Sequence, residues 1–310
     1  MRRGPLSTIG LVDTRGLEAR LRTLTRAKAV LLLAGCLAAG CAGGTTHAVR
    51  PHPTSGSVPR FRHVVVVVLE NKAVRQVIGA EKAPYLNSLA RSGARFSDSF
   101  AIRHPSQPNY LALFSGSTQG LTDDSCPHAY RSANLAGELR AAGLTFTGYS
   151  EGLPHTGSGV CSDGRYARKH VPWVNFPALP ASANRPFTDF PRDYAALPTV
   201  AFVIPDLCHD MHDCSVAAGD SWVRANLGGY ARWARAHGSL LIVTFDENDG
   251  SSGNRIATVF TGAFVKPGRY PEEIDHYSVL RTIEDAFRLA HAGASGARGP
   301  VTDVWMAGRR

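Results

Sequence analysis

Three strand-like segments of the sequence end in carboxylates. The run Val64–Leu69 leads into Glu70-Asn71, the run at 199–204 into Asp206, and the run at 239–245 into Asp246-Glu247-Asn248-Asp249. Singly, an acidic residue after a strand is most often a turn former. Grouped carboxylates would repel or take up protons, so three sets together point to a shared site for a hard divalent cation. A hydroxyl lies in a context that suits the same chemistry. In His104-Pro105-Ser106-Gln107-Pro108-Asn109, Pro108 fits a first helical turn and places Ser106 just ahead of a helix N-terminus, where free N–H groups and the dipole favour an anion. The plainer alternative is that Ser106 or Gln107 only caps that helix.

The elements that must position these residues are legible from periodicity. Val64-Val65-Val66-Val67-Val68-Leu69 is a continuous β-branched run, as expected of a strand buried on both faces of a largely parallel sheet. Comparable runs recur at 199–204, 239–245 and 256–261, with helical patterns at 83–92, 134–142, 222–237 and 277–289. Such alternation predicts an α/β fold with helices on both sheet faces, and sites in sheets of this kind gather at the carboxyl ends of strands. The exception is 151–198, which holds seven prolines and little periodicity, and which is expected to roof one end of the sheet. One domain is assigned to 61–292, followed by a C-terminal tail at 293–310.

Charge and cysteine content separate the N-terminus from this domain. The chain has 310 residues and a formal charge of +9, which by itself would invite a nucleic-acid partner. Residues 1–60 hold nine of the 34 basic residues and two of the 25 acidic ones, leaving the rest of the chain at only +2. The basic block precedes an apolar run from Ala29 that ends in small residues and is shorter than the roughly 20 residues of a membrane span. Residues 1–41 therefore read as an export signal. Leu33-Ala34-Gly35-Cys36 and Ala38-Ala39-Gly40-Cys41 each resemble a bacterial lipobox, so Cys36 and Cys41 are both lipidation candidates, against the alternative of an ordinary signal peptide. Residues 42–60, rich in Gly, Thr, Pro and Ser, read as a flexible tether to the membrane. The expected location is extracytoplasmic, and no nucleic-acid partner is expected. In that oxidising setting Cys126, Cys161, Cys208 and Cys214 favour disulfides; a short loop favours Cys208–Cys214, leaving Cys126–Cys161.

Glu70-Asn71 after a Val-rich strand, the segment 83–96 beginning Ala83-Pro84-Tyr85-Leu86, His104-Pro105-Ser106-Gln107-Pro108-Asn109-Tyr110, Met211-His212-Asp213-Cys214-Ser215 and Thr244-Phe245-Asp246-Glu247-Asn248-Asp249-Gly250 resemble, in order, the phosphoesterase family. That family holds bacterial acid phosphatases and phospholipases C within the alkaline-phosphatase-like superfamily. The resemblance covers about 61–290 and implies a three-layer sandwich around a largely parallel sheet. It also implies a metal held by Glu70, Asn71, Asp246 and Glu247, with Ser106 as nucleophile forming a phosphoseryl enzyme. The chemistry is coherent from below, since a cation lowers the cost of a serine alkoxide and neutralises phosphoryl oxygens.

Further residues have weaker claims. His209 and His212, on the loop closed by Cys208 and Cys214, are candidates for phosphate contact or protonation of the leaving group. A metal knot of these four is disfavoured, because ligands so close in sequence would strain to form a tetrahedron. His104 and Asn109 flank the nucleophile as candidate phosphate contacts, or else are turn and helix-start residues. Lys169 and His170 are cationic candidates for substrate contact, against solvated surface; His276 opens a helix and either enters the site or caps. Asp206, Asp210 and Asp213 read as supporting or turn residues. Superfamily members with two zincs use Asp and His where this chain has Glu-Asn and Asp-Glu, so oxygen-rich ligation suits Ca, Mg or Mn better than Zn. A small-monoester phosphatase is the first expectation. Phospholipase C or another phosphodiesterase is the second, and a non-catalytic surface-binding lipoprotein the third.

Overall fold

The computed structural model describes residues 57–251 and 253–306. The export signal, Cys36, Cys41 and most of the tether lie outside these residues. The elements run β1 (Val64–Leu69), α1 (Val74–Val77), α2 (Pro84–Ser92), β2 (Ala94–Phe100), α3 (Ser106–Ser115), α4 (Leu135–Ala141) and β3 (Phe146–Ser150). They continue through β4 (Ser162–Asp163), β5 (Tyr166–Ala167), β6 (Asn184–Pro186), β7 (Val200–Ile204), α5 (Val216–Ala236), β8 (Leu240–Phe245), β9 (Val259–Gly262), β10 (Gly268–Asp275) and α6 (His276–Phe287).

Eight strands form one sheet in the order β10-β2-β9-β8-β1-β7-β3-β6. β9 runs antiparallel to both its neighbours and the other pairings are parallel. β1 lies at the centre, and its strict alternation serves both faces. Val64, Val66 and Val68 meet Leu111 and Phe114 of α3, Leu135 and Leu139 of α4, and Ile283 of α6. Val65, Val67 and Leu69 meet Leu86 and Leu89 of α2 and Val223, Leu227 and Tyr230 of α5. A strand with no solvated face has no reason to carry polar residues, hence its composition. The result is the three-layer α/β sandwich with helices on both faces. Among the described residues no helix is long and apolar enough to cross a membrane.

Several details depart from the sequence expectation. β2, β3, β6 and β10 were not anticipated, and α5 begins six residues before the periodic segment at 222. The proline-rich excursion is not merely a roof. It holds short 3-10 turns along with β4, β5 and β6, and contributes Val171, Trp173 and Phe176 to the core on the α3 side. The Trp173 ring lies over Gly148 of β3 so closely that a Cβ there would come within 2.1 Å of it. The C-terminal segment after 292 also packs: Val301, Val304 and Trp305 are buried in the same core, and the Trp305 indole donates to the Val301 carbonyl at 2.8 Å.

Candidate active site

The carboxyl ends of β1 and β8 lie side by side, because these strands pair in register from Val64↔Leu240 to Leu69↔Phe245. That adjacency brings Glu70-Asn71 against Asp246-Glu247 across 175 residues of chain, and the Asn71 amide donates to Asp246 Oδ1 at 3.0 Å. Asn71 has φ +48°, in the left-handed region that asparagine tolerates better than most residues. α3 begins at Ser106 itself, one residue earlier than the sequence implied, with Pro105 in the cap position. The serine hydroxyl does not cap the helix. It donates to Glu70 Oε2 at 3.0 Å and lies 3.4 Å from both Asn71 Oδ1 and Glu247 Oε1. The structure thus brings together Ser106, Glu70, Asn71, Asp246 and Glu247.

The carboxylates in this cluster are poorly solvated. Burial, then the charges of Asp246 and Asp210, raises the pKa of Glu70 well above the ordinary carboxylate range. Burial also raises Asp246, with Glu247 adding to the effect, and burial followed by the charge of Asp124 pushes Glu247 up to about 7. Asp246 Oδ2 and Asp210 Oδ2 are buried without a hydrogen-bond partner. Orphaned acceptors among mutually repelling carboxylates are what a divalent cation would satisfy, and the oxygen-rich donor set suits one. Glu70, His170 and Asp210 also present donor atoms within 4.8 Å of one another, so the donor set extends beyond the four residues expected.

His170 is the largest correction. Expected as a cationic substrate contact, it is buried, stacked on Tyr110 with ring centroids 5.1 Å apart, and flanked by Glu70 Oε1 at 3.2 Å and Asp210 Oδ2 at 3.3 Å. Its Nε2 has no hydrogen bond of good geometry despite the short distance to Glu70. Burial, then the Lys169 charge, drives its pKa well below the ordinary value. Asp210, expected as a supporting or turn residue, receives the His212 amide at 2.7 Å, and its other oxygen faces His170.

The remaining candidates divide. His104 Nδ1 is 2.7 Å from Glu247 Oε2 and its side chain is 42% exposed, which puts it at the mouth of the site. Asn109 reaches Glu247 Oε2 at 3.4 Å, yet its oxygen takes the amides of Ile102 and Arg103 and so also braces the approach to Ser106. Lys169 pairs with Asp124 at 2.9 Å. His212 lies with its ring centroid 6.1 Å from that of His170 and bonds Asp213. His209 is engaged elsewhere: its Nδ1 meets Glu151 at 2.9 Å and its ring stacks on Trp222. Asp206 belongs to that second group, accepting from the Cys208 and His209 amides. His276 does not face the cluster's interior as a substrate contact; it is buried and hydrogen bonds the Asp246 carbonyl at 2.6 Å, steadying the strand end. Both disulfides, Cys126–Cys161 and Cys208–Cys214, are present.

Tyr110 and Asp124 escaped the sequence reading. The Tyr110 hydroxyl donates to Glu70 Oε1. Its signal was available, since Tyr110 follows Ser106 by four residues and a helix puts such pairs on one face. Asp124 sits in a loop with no pattern to announce it.

Comparisons with known proteins identify relatives by sequence and by fold. The chain is 50% identical over 295 residues to a phosphatidylinositol-3-phosphatase of Mycobacterium tuberculosis, covering 94% of this chain and 99% of that one. It is 29% identical over 232 residues to a phosphate-repressible acid phosphatase of Penicillium chrysogenum, covering 67% of this chain and 55% of that protein. In fold it is similar to an alkaline phosphatase superfamily protein from Vibrio parahaemolyticus, with TM-score 0.52, 12% identity and coverage of 80% and 72%. A phosphonate monoester hydrolase from Silicibacter pomeroyi superposes with TM-score 0.54 at 11% identity, over 79% and 78% of the two chains. The model of the Phosphoesterase family matches residues 80–290, and with half the sequence shared with a named phosphatase the chain belongs to that family, a hydrolase acting on phosphoric ester bonds.

Proposed function

We propose that the protein is a cation-dependent phosphomonoesterase in which Ser106 is the nucleophile. The observation that carries this reading is the position of the Ser106 hydroxyl, at a helix N-terminus and 3.0–3.4 Å from Glu70, Asn71 and Glu247. Glu70, Asn71, Asp246 and Glu247 would hold the cation, with His170 and Asp210 beside Glu70. When bound, that cation supplies charge neutralisation for the phosphoryl oxygens and eases formation of the serine alkoxide. The chain's own groups do the rest. The Ser106 hydroxyl donates to Glu70 Oε2, which would take its proton. Ser106 Oγ attacks phosphorus in line as that proton passes to Glu70, the bond to the leaving oxygen breaks, and that oxygen takes a proton from solvent at the mouth, beside His104. Water then attacks phosphorus and gives one proton to solvent, the bond from phosphorus to Ser106 Oγ breaks to release inorganic phosphate, and Ser106 takes its proton back from Glu70. The dipole at the start of α3 and the Lys169 ammonium favour the anionic substrate at this end of the sheet.

The name of the Mycobacterium tuberculosis relative extends the substrate class to phosphoinositide monoesters. A folded unit from residue 61, exported and tethered through Cys36 or Cys41, would meet such lipids outside the cytoplasm, and two disulfides fit that compartment. Purified protein is expected to hydrolyse p-nitrophenyl phosphate and to lose turnover with chelator. Ser106→Ala should reduce kcat by at least about three orders of magnitude while the circular-dichroism spectrum is kept. Undiminished turnover in that variant would remove Ser106 from the reaction, and a preference for bis-p-nitrophenyl phosphate would favour the phosphodiesterase reading.

A further inference from the structure

The loop between α3 and α4 reaches back to the start of the nucleophile's helix. α3 has no side-chain cap of its own, because Pro105 occupies that position. Asp124 supplies the acceptor from outside: Oδ1 takes the amide of Gln107, the residue after Ser106, at 2.9 Å. Its other oxygen takes the Lys169 ammonium, also at 2.9 Å, and the two side chains are 28% and 23% exposed. That ion pair fixes the Lys169 ammonium, and the next residue in the chain is His170, 3.2 Å from Glu70. The same loop is tied to the hairpin that precedes Lys169 by the Cys126–Cys161 bond, which reaches the residue before β4.

A lysine side chain that must be ordered on binding loses rotamer freedom at a cost to affinity. An ammonium already anchored between helix and loop avoids most of that cost. We propose that Asp124 is a positioning residue of this site, acting through Lys169: it fixes the ammonium beside the N-terminus of α3, where a phosphoryl oxygen of the substrate would meet both. This rests on the proposed function for the location of the phosphoryl group. Asp124 itself does not touch the substrate, since its carboxylate would repel it.

The test is a double-mutant cycle read by calorimetric binding of inorganic phosphate to the full chain with divalent cation present, alongside kcat and KM for p-nitrophenyl phosphate. Asp124→Asn keeps an oxygen for the Gln107 amide but removes the charge that anchors Lys169; Lys169→Met removes the ammonium. Each single variant is expected to weaken phosphate binding roughly tenfold, the scale of one charge-assisted hydrogen bond. The double variant should bind no more weakly than Lys169→Met alone, and the loss should appear in KM more than in kcat. A helix cap alone would leave Asp124→Asn with wild-type phosphate affinity, and that result overturns the proposal. So do losses that multiply in the double variant, which would show two independent roles. Because phosphate binding needs no turnover, failure of this cycle is distinguishable from failure of Ser106 as nucleophile, which only the Ser106→Ala turnover measurement addresses.

Discussion

Glu70 divides its two oxygens among three side chains: Oε2 accepts from Ser106, while Oε1 accepts from Tyr110 and lies 3.2 Å from His170 Nε2. A fully buried carboxylate can serve a cation only if something else fixes its plane, and groups outside the ligand shell that do so typically govern 10–100-fold in metal affinity. Tyr110→Phe should therefore weaken cation binding by about tenfold in a calorimetric titration of chelator-treated protein, with the fold retained. A titration matching the wild type would mean that Glu70 needs no such support. The contrast between Ser106 and Tyr110 shows what the sequence can reveal at this scale. Ser106, Asn71 and Glu247 stand where strands end or a helix begins, and local pattern marks such positions. Tyr110 opens an apolar run and has the composition of core, so only its four-residue spacing from Ser106 on the helix marks it. His170 is the reverse case: a histidine beside a lysine in a proline-rich stretch reads as a cation, and only its tertiary burial against Tyr110, Glu70 and Asp210 brings its ring nitrogens to the cluster.

At the scale of elements, β1, β7 and β8 were legible because each is buried along its whole length and therefore uniformly apolar. β2 and β10 were not, because they pair near the edge of the sheet and carry polar residues among the apolar ones, Arg95 and Asp98 in one, Arg269, Glu272 and Glu273 in the other, with a register shift between Tyr270 and Glu273. α4 and α6 were both anticipated, but not the acidic pair that their packing creates. Glu138 of α4 has a buried oxygen with no partner, near Glu284 of α6, which accepts from the Ala292 amide and the Ser295 hydroxyl. Burial, then the charge of Glu284, pushes Glu138 up to about 8, against 4.5 for an ordinary glutamate. Between those values the native chain binds more protons than the unfolded one, so stability is complete below about 4.5 and is lost as pH rises towards about 8. Glu138→Gln keeps the neutral shape at every pH. Thermal unfolding should show the variant more stable than the wild type at pH 8, by roughly 1 kcal/mol once solvent screening of this half-buried group is allowed for, and little different at pH 4.5. Parallel pH profiles for the two proteins would remove Glu138 from the account.

Across the whole molecule, the arrangement of charge explains why the site cannot exist in the unfolded chain. Beyond residue 60 the sequence is nearly neutral, 25 basic residues against 23 acidic, yet Glu70, Asp210, Asp246 and Glu247 collect at one end of the sheet. Asn71 and Glu247 touch across 176 residues, a juxtaposition made by the pairing of β1 with β8. His170 arrives from the excursion, which can reach the site because Trp173 and Phe176 anchor it in the core. A cation bound by this set binds the native state alone, so it adds RT ln(1 + [L]/Kd) to stability, about 2.7 kcal/mol at a hundredfold excess over Kd. For a folded unit of this size that corresponds to a fall in Tm of about 5–10 °C when the cation is stripped. Differential scanning calorimetry with and without chelator should show it, and re-addition of Ca, Mg, Mn and Zn in turn should identify the ion by which one restores Tm with turnover. If no divalent ion moves the midpoint, the buried carboxylates must be held by shared protons instead, and the cation-dependent mechanism fails with them.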